Sequence, residues 1–574
     1  MIDLKKLFVY LKNYKKECVL GPAFKLLEAL FELFVPLVMA SVIDRGINNA
    51  DNMHIWKMIG VMILLGVIGL VCSITAQYFC AVAAVGFSGK IRSVLFKHIQ
   101  SLDFKTADKI GTSTLITRIT SDLNQLQNGV NLVLRLFLRS PFIVFGAAIM
   151  AFTVDVKASL IFLATIPLLS VIVFAVILGG APVYKKVQSA LDNILKITRE
   201  NLTGARVIRA FGAEGAEIER FNRGNSTLKS KQLFAGRITA LMNPLTYVVV
   251  NLSVVYILYS GAIRVNTGNL TQGEVVALVN YMSQILIELV KLANLIITVT
   301  KAVACGNRIA DVLAIEGGME TAHSTDTVTS AVEFKNVSLS YNENGEKSLD
   351  NISFAVTEGM SVGVIGVTGS GKSSLVNLIP RFYDVTEGEV FVMGKNVKSY
   401  PVKALRKLIA IVPQKAQLFK GTIRSNVTFG KRDATDEEIN RAIAIAQAED
   451  VVLAKGGLDG EVAQMGRNLS GGQRQRLTIA RAILTGAKIL VLDDSASALD
   501  YKTDFSLRRA ISKIEGVTTF IVSQRASSVM NCDMIITLED GTVAGIGTHK
   551  ELLEKCEVYS EIYYSQYERS GDNE

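Results

Sequence analysis

Near residues 18–44, 56–82, 128–153, 157–180, 239–264 and 273–300 the chain carries apolar runs, about six in all. A membrane-crossing helix needs about 20 predominantly apolar residues, and each run reaches that length. Nothing constrains the fold more than this repetition. The first run is long and leads into further spans, so it does not read as a cleavable signal peptide. The 574 residues are 49% hydrophobic and only 20% charged, and the apolar excess is confined to residues 1 to about 310. The remainder alternates charge and hydrophobe like a soluble α/β domain.

The formal net charge of +9 has a membrane distribution rather than a nucleic-acid one. Lys5, Lys6, Lys12, Lys15 and Lys16 precede the first run. Lys90, Arg92, Lys97, Lys105, Lys109 and Arg118 fall in one long loop, and Lys185, Lys186, Arg206, Arg209, Arg220 and Arg223 in another. Basic loops stay on the cytoplasmic side, which predicts a cytoplasmic N-terminus and short outer loops at 44–54, 153–157 and 264–274. Nucleic-acid binding, which needs a soluble basic face, is set aside. The six cysteines are dispersed with no Cys-x-x-Cys pair, which argues against a metal or disulfide framework.

Both long loops, 83–127 and 181–238, keep helical periodicity, so the helices are expected to continue beyond the bilayer. Three pairs of charges interrupt the apolar runs: Glu28 and Glu32, Arg135 and Arg139, Glu288 and Lys291. Each pair is three or four residues apart and so shares a helix face. At similar depth, they pair between helices, snorkel to the interface, or line an inward-facing cavity, where they would bias it toward charged amphiphiles.

Residues 311–331 lose the apolar pattern and read as a linker; alternating "VEFKNVSLSY" then opens a second domain, 332–574, as a strand. "GVTGSGKS" (366–373) follows an apolar strand and precedes an apolar helix, the context of a phosphate-binding P-loop. Gly366, Gly369 and Gly371 let backbone amides turn toward phosphates without a Cβ in the way. Lys372 would place its charge on the β- and γ-phosphates, and Ser373 would offer a hydroxyl to Mg²⁺. A second apolar run, "ILVLDD" (489–494), delivers two carboxylates to a strand end. Asp493 is the expected Mg²⁺ partner, which leaves Asp494 where a general base would polarise water.

Between these motifs stands "LSGGQ" (469–473). With it, the P-loop and the strand-end acids, the chain resembles an ATP-binding cassette (ABC) exporter half-transporter over nearly its whole length. The resemblance implies an α-helical transmembrane domain of about six long helices (1–310), then an α/β P-loop ATP-binding cassette (332–574). It also implies ATP and Mg²⁺ as cofactors and a multi-pass protein of the bacterial inner (plasma) membrane with both termini cytoplasmic. Further matching positions are Tyr341 for adenine stacking, Thr368, Ser370 and Ser374 in and after the loop, Gln414 in "VPQKAQLF" as a Mg²⁺-linked residue, and "SALD" (497–500). "EVAQMG" (461–466) has Gln464 where the family usually has Glu. Two cassettes of this family sandwich two ATP molecules, so Ser470, Gly471, Gly472 and Gln473 would serve a partner's nucleotide. The turns near 104–115 and 200–211 would be the coupling segments that dock on cassettes.

Two departures stand out. The family's usual Glu after the Mg²⁺ Asp is Asp494, and its switch His is Gln524. Asp is one methylene shorter, and a displacement of about 1 Å can slow a reaction on the order of 10²-fold. Gln neither carries positive charge nor relays a proton as His does. The pattern resembles the degenerate-site subunit of a heterodimeric multidrug exporter, moving amphipathic drugs or lipids with a second half-transporter. The competing expectations are an ATP-gated channel or regulatory subunit, and a homodimeric peptide or lipid exporter.

Overall fold

The structure, a computed structural model, describes residues 7–316, 319, 329–341, 345–495 and 497–567. Lys5, Lys6 and most of the expected linker lie outside the described residues. The chain divides into two units, the first made of residues up to Gln100 with Thr112–Glu316, the second of Ser101–Gly111 with the residues after Glu316.

Hydrocarbon offers no water to peptide groups, so a single-pass segment must satisfy them within a helix. Among the described residues, six helices are long and apolar enough to cross a membrane: Val9–Ile47, Asn52–Ser101, Thr112–Val154, Val156–Thr203, Glu214–Asn266 and Gln272–Ala314. The longest spans 53 residues. That is about 80 Å of helix against a hydrocarbon core of about 30 Å, so the helices run well past a bilayer. The third span is broken at Phe137–Leu138, between the helices Leu123–Leu136 and Arg139–Val154. Pro141 has no N–H to return to the carbonyl four residues back, and its ring crowds that carbonyl, which accounts for the break.

Helix packing in lipid depends on close approach, and small residues permit it. A Cβ on Gly129 of the third span would lie 2.2 Å from the Cβ of Ala302 in the sixth. The sixth span starts with a capping box between Thr271 and Glu274, and Asp44 accepts from both Thr271 Oγ1 (2.6 Å) and the Gly273 amide (2.8 Å). Leu33, Ile143, Phe162, Leu278 and Ile285 are buried together in the core, where the Tyr281 hydroxyl donates to the Leu33 carbonyl at 2.8 Å.

Arg139, Glu32 and Glu288 meet between helices. Arg139 donates to Glu288 Oε1 at 2.7 Å and to Glu32 Oε2 at 2.6 Å. Ser140 and Lys291 also donate to Glu288, at 2.8 and 2.7 Å. Lys25 pairs with Glu28 at 2.5 Å and reaches Ser73. The packing role expected for these charges is therefore realised for Glu288 and Arg139, both buried.

The second unit is an α/β domain with, among the described residues, twelve strands: β1 (Val332–Leu339), β2 (Leu349–Val356), β3 (Ser361–Gly366), β4 (Glu387–Val392), β5 (Lys395–Asn396), β6 (Ile409–Val412), β7 (Gly421–Thr422), β8 (Glu461–Val462), β9 (Ile489–Asp493), β10 (Thr518–Ser523), β11 (Met534–Glu539) and β12 (Thr542–Gly547). Six form a sheet in the order β12-β11-β3-β10-β9-β6, parallel except for the β11–β12 hairpin. Strands buried on both faces should read as continuous apolar runs, and β9 is buried at every residue. An antiparallel sheet, β2-β1-β4-β5, shares one core with the larger sheet through Phe334, Leu349, Val364 and Phe520. The two parallel strands β3 and β9, separated by β10, bring the P-loop and the strand-end acids to one edge.

Candidate nucleotide site

The P-loop leaves β3 at Gly366 and enters the helix Lys372–Leu378. A Cβ on Gly366 would lie 2.2 Å from the Leu538 carbonyl. Gly371 caps the helix at φ +92°, where a side chain would also sit 2.7 Å from the Ser348 carbonyl. These two positions admit only glycine, because one lacks room and the other needs a left-handed backbone as well. Lys372 curls back over the loop, its Nζ donating to the carbonyls of Gly366 (2.8 Å) and Val367 (2.7 Å). Burial lowers its pKa against the opposing charges of Asp494 and Asp493.

Parallel pairing of β10 with β9 places Val522 beside Asp493 and ends both strands at the loop. Ser373 Oγ donates to Asp493 Oδ1 at 3.0 Å. Burial raises the Asp493 pKa, the Ser373 hydrogen bond opposes that, and the neighbouring Asp494 charge adds to it. A hydroxyl and a carboxylate touching at a strand end are hard oxygen donors that fit Mg²⁺. Asp494 sits in the left-handed region at φ +45°, with its amide donating to the Val522 carbonyl at 3.0 Å. Its Oδ2 accepts from Gln414 Nε2 at 3.2 Å, so Gln414 reaches the second acid, not the first.

An open cleft of about 580 Å³ collects Thr368, Gly369, Gly371, Lys372, Ser373, Ser374, Gln414, Asp493, Asp494 and Gln524. Sequence reasoning therefore placed most of its candidates around one space. Gly366, Ser370 and Tyr341 do not line the cleft, and Tyr341 reaches it only through Ser374. The Tyr341 hydroxyl donates to Ser374 Oγ at 3.0 Å, and its ring meets Tyr383 edge-on at 5.0 Å. Ser470–Gln473 do not line the cleft. Ser470 caps the helix Gly471–Leu484 in a reciprocal box with Gln473, and a Cβ on Gly472 would come within 2.9 Å of the Ala498 carbonyl.

Several contributors escaped the sequence reading. Glu346, Lys347, Ser348, Asp540 and Gly541 also line the cleft. The β11–β12 turn supplies the last two, and the Gly541 carbonyl accepts from the Asp350 amide at 2.8 Å. Only the "EDGT" turn signal (539–542) was available in sequence, and it does not say which loop it will face. Gln566 was likewise unseen; its Nε2 donates to the Gln524 carbonyl at 2.8 Å. The segment Ser101–Gly111 packs within the same unit: Phe104 lies 4.6 Å from Phe382, Arg406 covers both rings, and Asp108 accepts from the Tyr383 hydroxyl at 2.8 Å.

Comparison with known proteins agrees with this geometry. Residues 19–289 match the family model described as ABC transporter transmembrane region, and residues 349–497 the one described as ABC transporter. The chain is 36% identical to the uncharacterized ABC transporter ATP-binding protein YfiB of Bacillus subtilis (strain 168) over 570 residues, 99% of each chain. It is 30% identical to the putative multidrug export ATP-binding/permease protein YgaD of the same organism, over 98% of this chain and 99% of the relative. It is 28% identical to the ATP-dependent lipid A-core flippase of Hahella chejuensis (strain KCTC 2396), over 97% and 98%.

Proposed function

Since the chain belongs to the ABC transporter family, with membrane and ATP-binding portions on one polypeptide, we propose that it exports amphipathic small molecules, drugs or lipids, as one half of a heterodimer driven by ATP. Relatives named for multidrug export and for lipid flipping support the substrate class. The basic loops support an inner-membrane topology with both termini cytoplasmic.

One observation carries the division of labour: Asp494 and Gln524 line the same cleft as an intact P-loop. The loop amides and Lys372 bind the phosphates, with Lys372 exchanging its backbone carbonyls for phosphate oxygens. Ser373 and Asp493 would hold Mg²⁺, with Gln414, hydrogen-bonded to Asp494, as the further Mg²⁺-linked residue. When bound, Mg²⁺ would neutralise charge on the phosphate oxygens. Asp494 is short by a methylene and engaged with Gln414, and Gln524 offers an amide in place of an imidazole. This site therefore retains ATP and hydrolyses it slowly. Ser470, Gly471, Gly472 and Gln473 complete the partner's site, where most turnover occurs; helix N-termini favour phosphate. Tyr341 is assigned to the adenine.

Phe104–Ile110, contiguous in sequence with the second and third spans, serves as one coupling segment. The second is the helix Ala205–Ala210, beside which Leu202 and Phe211 are strongly exposed. Substitution of Thr203 or Arg206 should uncouple ATPase from transport.

Reconstitution tests the reading. The chain alone should show little ATPase activity, and co-expression with its partner should restore it. Replacing the partner's catalytic Glu should abolish turnover, whereas Asp494→Ala should leave most of it. Equal damage from the two substitutions would overturn the degenerate-site assignment.

A further inference from the structure

The charges in the interiors of the apolar runs do not balance: Lys25, Arg135, Arg139 and Lys291 are four bases, against the three acids Glu28, Glu32 and Glu288. Every acid is engaged: Glu28 by Lys25, Glu32 by Arg139, and both oxygens of Glu288 by Arg139, Lys291 and Ser140. A cationic ligand would have to displace one of these bases. Arg135 has no ion-pair or hydrogen-bond partner among the described residues, and its Nε is buried.

A membrane-embedded charge without a counter-ion is costly. Arg135 sits in the last turn of the helix Leu123–Leu136, just before the break at Phe137–Leu138, where helix-end carbonyls favour a cation. Its Nε is sealed without a partner, while its two terminal nitrogens are not fully buried.

Asn131 supplies a second observation. It lies four residues before Arg135, hence on the same helix face, and its side-chain oxygen is also buried without a partner. Rotating that amide by half a turn presents its NH₂ at the same point. A cationic fork and an amide donor on one face, both unpartnered, form an incomplete anion-binding pair.

We propose that Arg135 and Asn131 recognise the anionic headgroup, a carboxylate or a phosphate ester, of an amphiphile whose apolar body lies along the spans. The fork of Arg135 takes two oxygens in a bidentate pair, and Asn131 donates to one of them. The inference deepens the export reading and rests on it for its meaning in transport, but binding is measured without transport.

Full-length protein in phosphatidylcholine nanodiscs is titrated with oleate and with oleyl alcohol, which differ in the charged head. Oleate should bind at least about tenfold more tightly, the equivalent of one charge-assisted hydrogen bond. Arg135→Gln should abolish the difference, Arg135→Lys should keep part of it, and Asn131→Ala should narrow it. Retained ATP binding shows that each variant is folded. Replacing the bilayer with phosphatidylglycerol should suppress oleate binding if lipid headgroups take the site; undiminished oleate binding there assigns it to free carboxylates. Equal affinities for the two probes would overturn the proposal. So would a preference that survives Arg135→Gln, or an Arg135→Gln defect confined to assembly with a second subunit. Transport of uncharged compounds alongside equal affinities would leave the export reading standing.

Discussion

Gln566 holds Gln524 in place: its Nε2 donates to the Gln524 carbonyl at 2.8 Å, and its Oε1 accepts from the amide of Ala526 at 2.9 Å. One side chain thus brackets the residue at the family's switch position from behind. The grip comes from the turn that follows the helix Glu557–Tyr564. Gln566→Ala removes both bonds, each worth about 0.5–1.5 kcal/mol. The expected outcome is faster amide exchange at Gln524–Ala526 and a several-fold weaker coupling of ATP binding to turnover in the assembled transporter. Exchange rates equal to wild type would show that the loop holds itself.

The clamp also links the switch loop to pH. His549 Nδ1 lies 2.7 Å from the Tyr559 hydroxyl, and Tyr563 packs between His549 and Tyr567. Burial, and then the neighbouring Lys550 charge, lower the His549 pKa below its ordinary value. Neutral His549 is thus favoured in the folded state. Its contribution is complete above the unfolded value of about 6.5 and is lost as pH falls through the depressed folded value. Melting of the cassette should therefore drop between pH 7.5 and 5.5, and His549→Phe should flatten that dependence.

Restoring the family residues should wake the slow site. Asp494→Glu combined with Gln524→His returns a longer carboxylate and a titratable ring to the cleft. ATPase activity of the chain should rise by about 10- to 100-fold, the scale on which an ångström of misplacement acts. Asp494→Glu alone should gain less, since φ +45° suits Asp better than Glu. No gain in the double variant, with ATP binding intact, would point to a defect outside these two positions.

Legibility in the sequence followed locality. Helices are local and apolar, so all six spans could be read from runs of residues. The P-loop and the β9 acids were equally visible, because each motif is contiguous and their meeting follows from parallel strands. Gln414 and Gln524 come from separate stretches, and only the resemblance joined them to the acids. What stayed hidden depends on distant backbone: the β11–β12 turn at Asp540 and Gly541, and the return of Gln566 to the switch loop. A lone Gln in a polar tail carries no periodicity or motif. The break at Phe137–Leu138 was present in sequence as Pro141, but inside an apolar run it is outweighed by the hydropathy around it.

Glu288 offers the sharpest test of what the intramembrane charges do. It is 2% exposed and accepts from Arg139, Lys291 and Ser140, joining the third and sixth spans. Removing one member of a buried ion pair strands the others and typically costs about 3–5 kcal/mol, whereas replacing the pair with apolar residues is often close to neutral. Glu288→Ala should therefore lower the melting temperature of the detergent-solubilised protein sharply, while the double variant Glu288→Met, Arg139→Met should recover much of the loss. Glu32, 40% exposed along its side chain, should matter less, because Arg139 keeps its bond to Glu288 when Glu32 is replaced. A double variant as unstable as Glu288→Ala would mean that Arg139 supports the fold through Glu32 or through packing of its own, and that the pair is not the unit of stability.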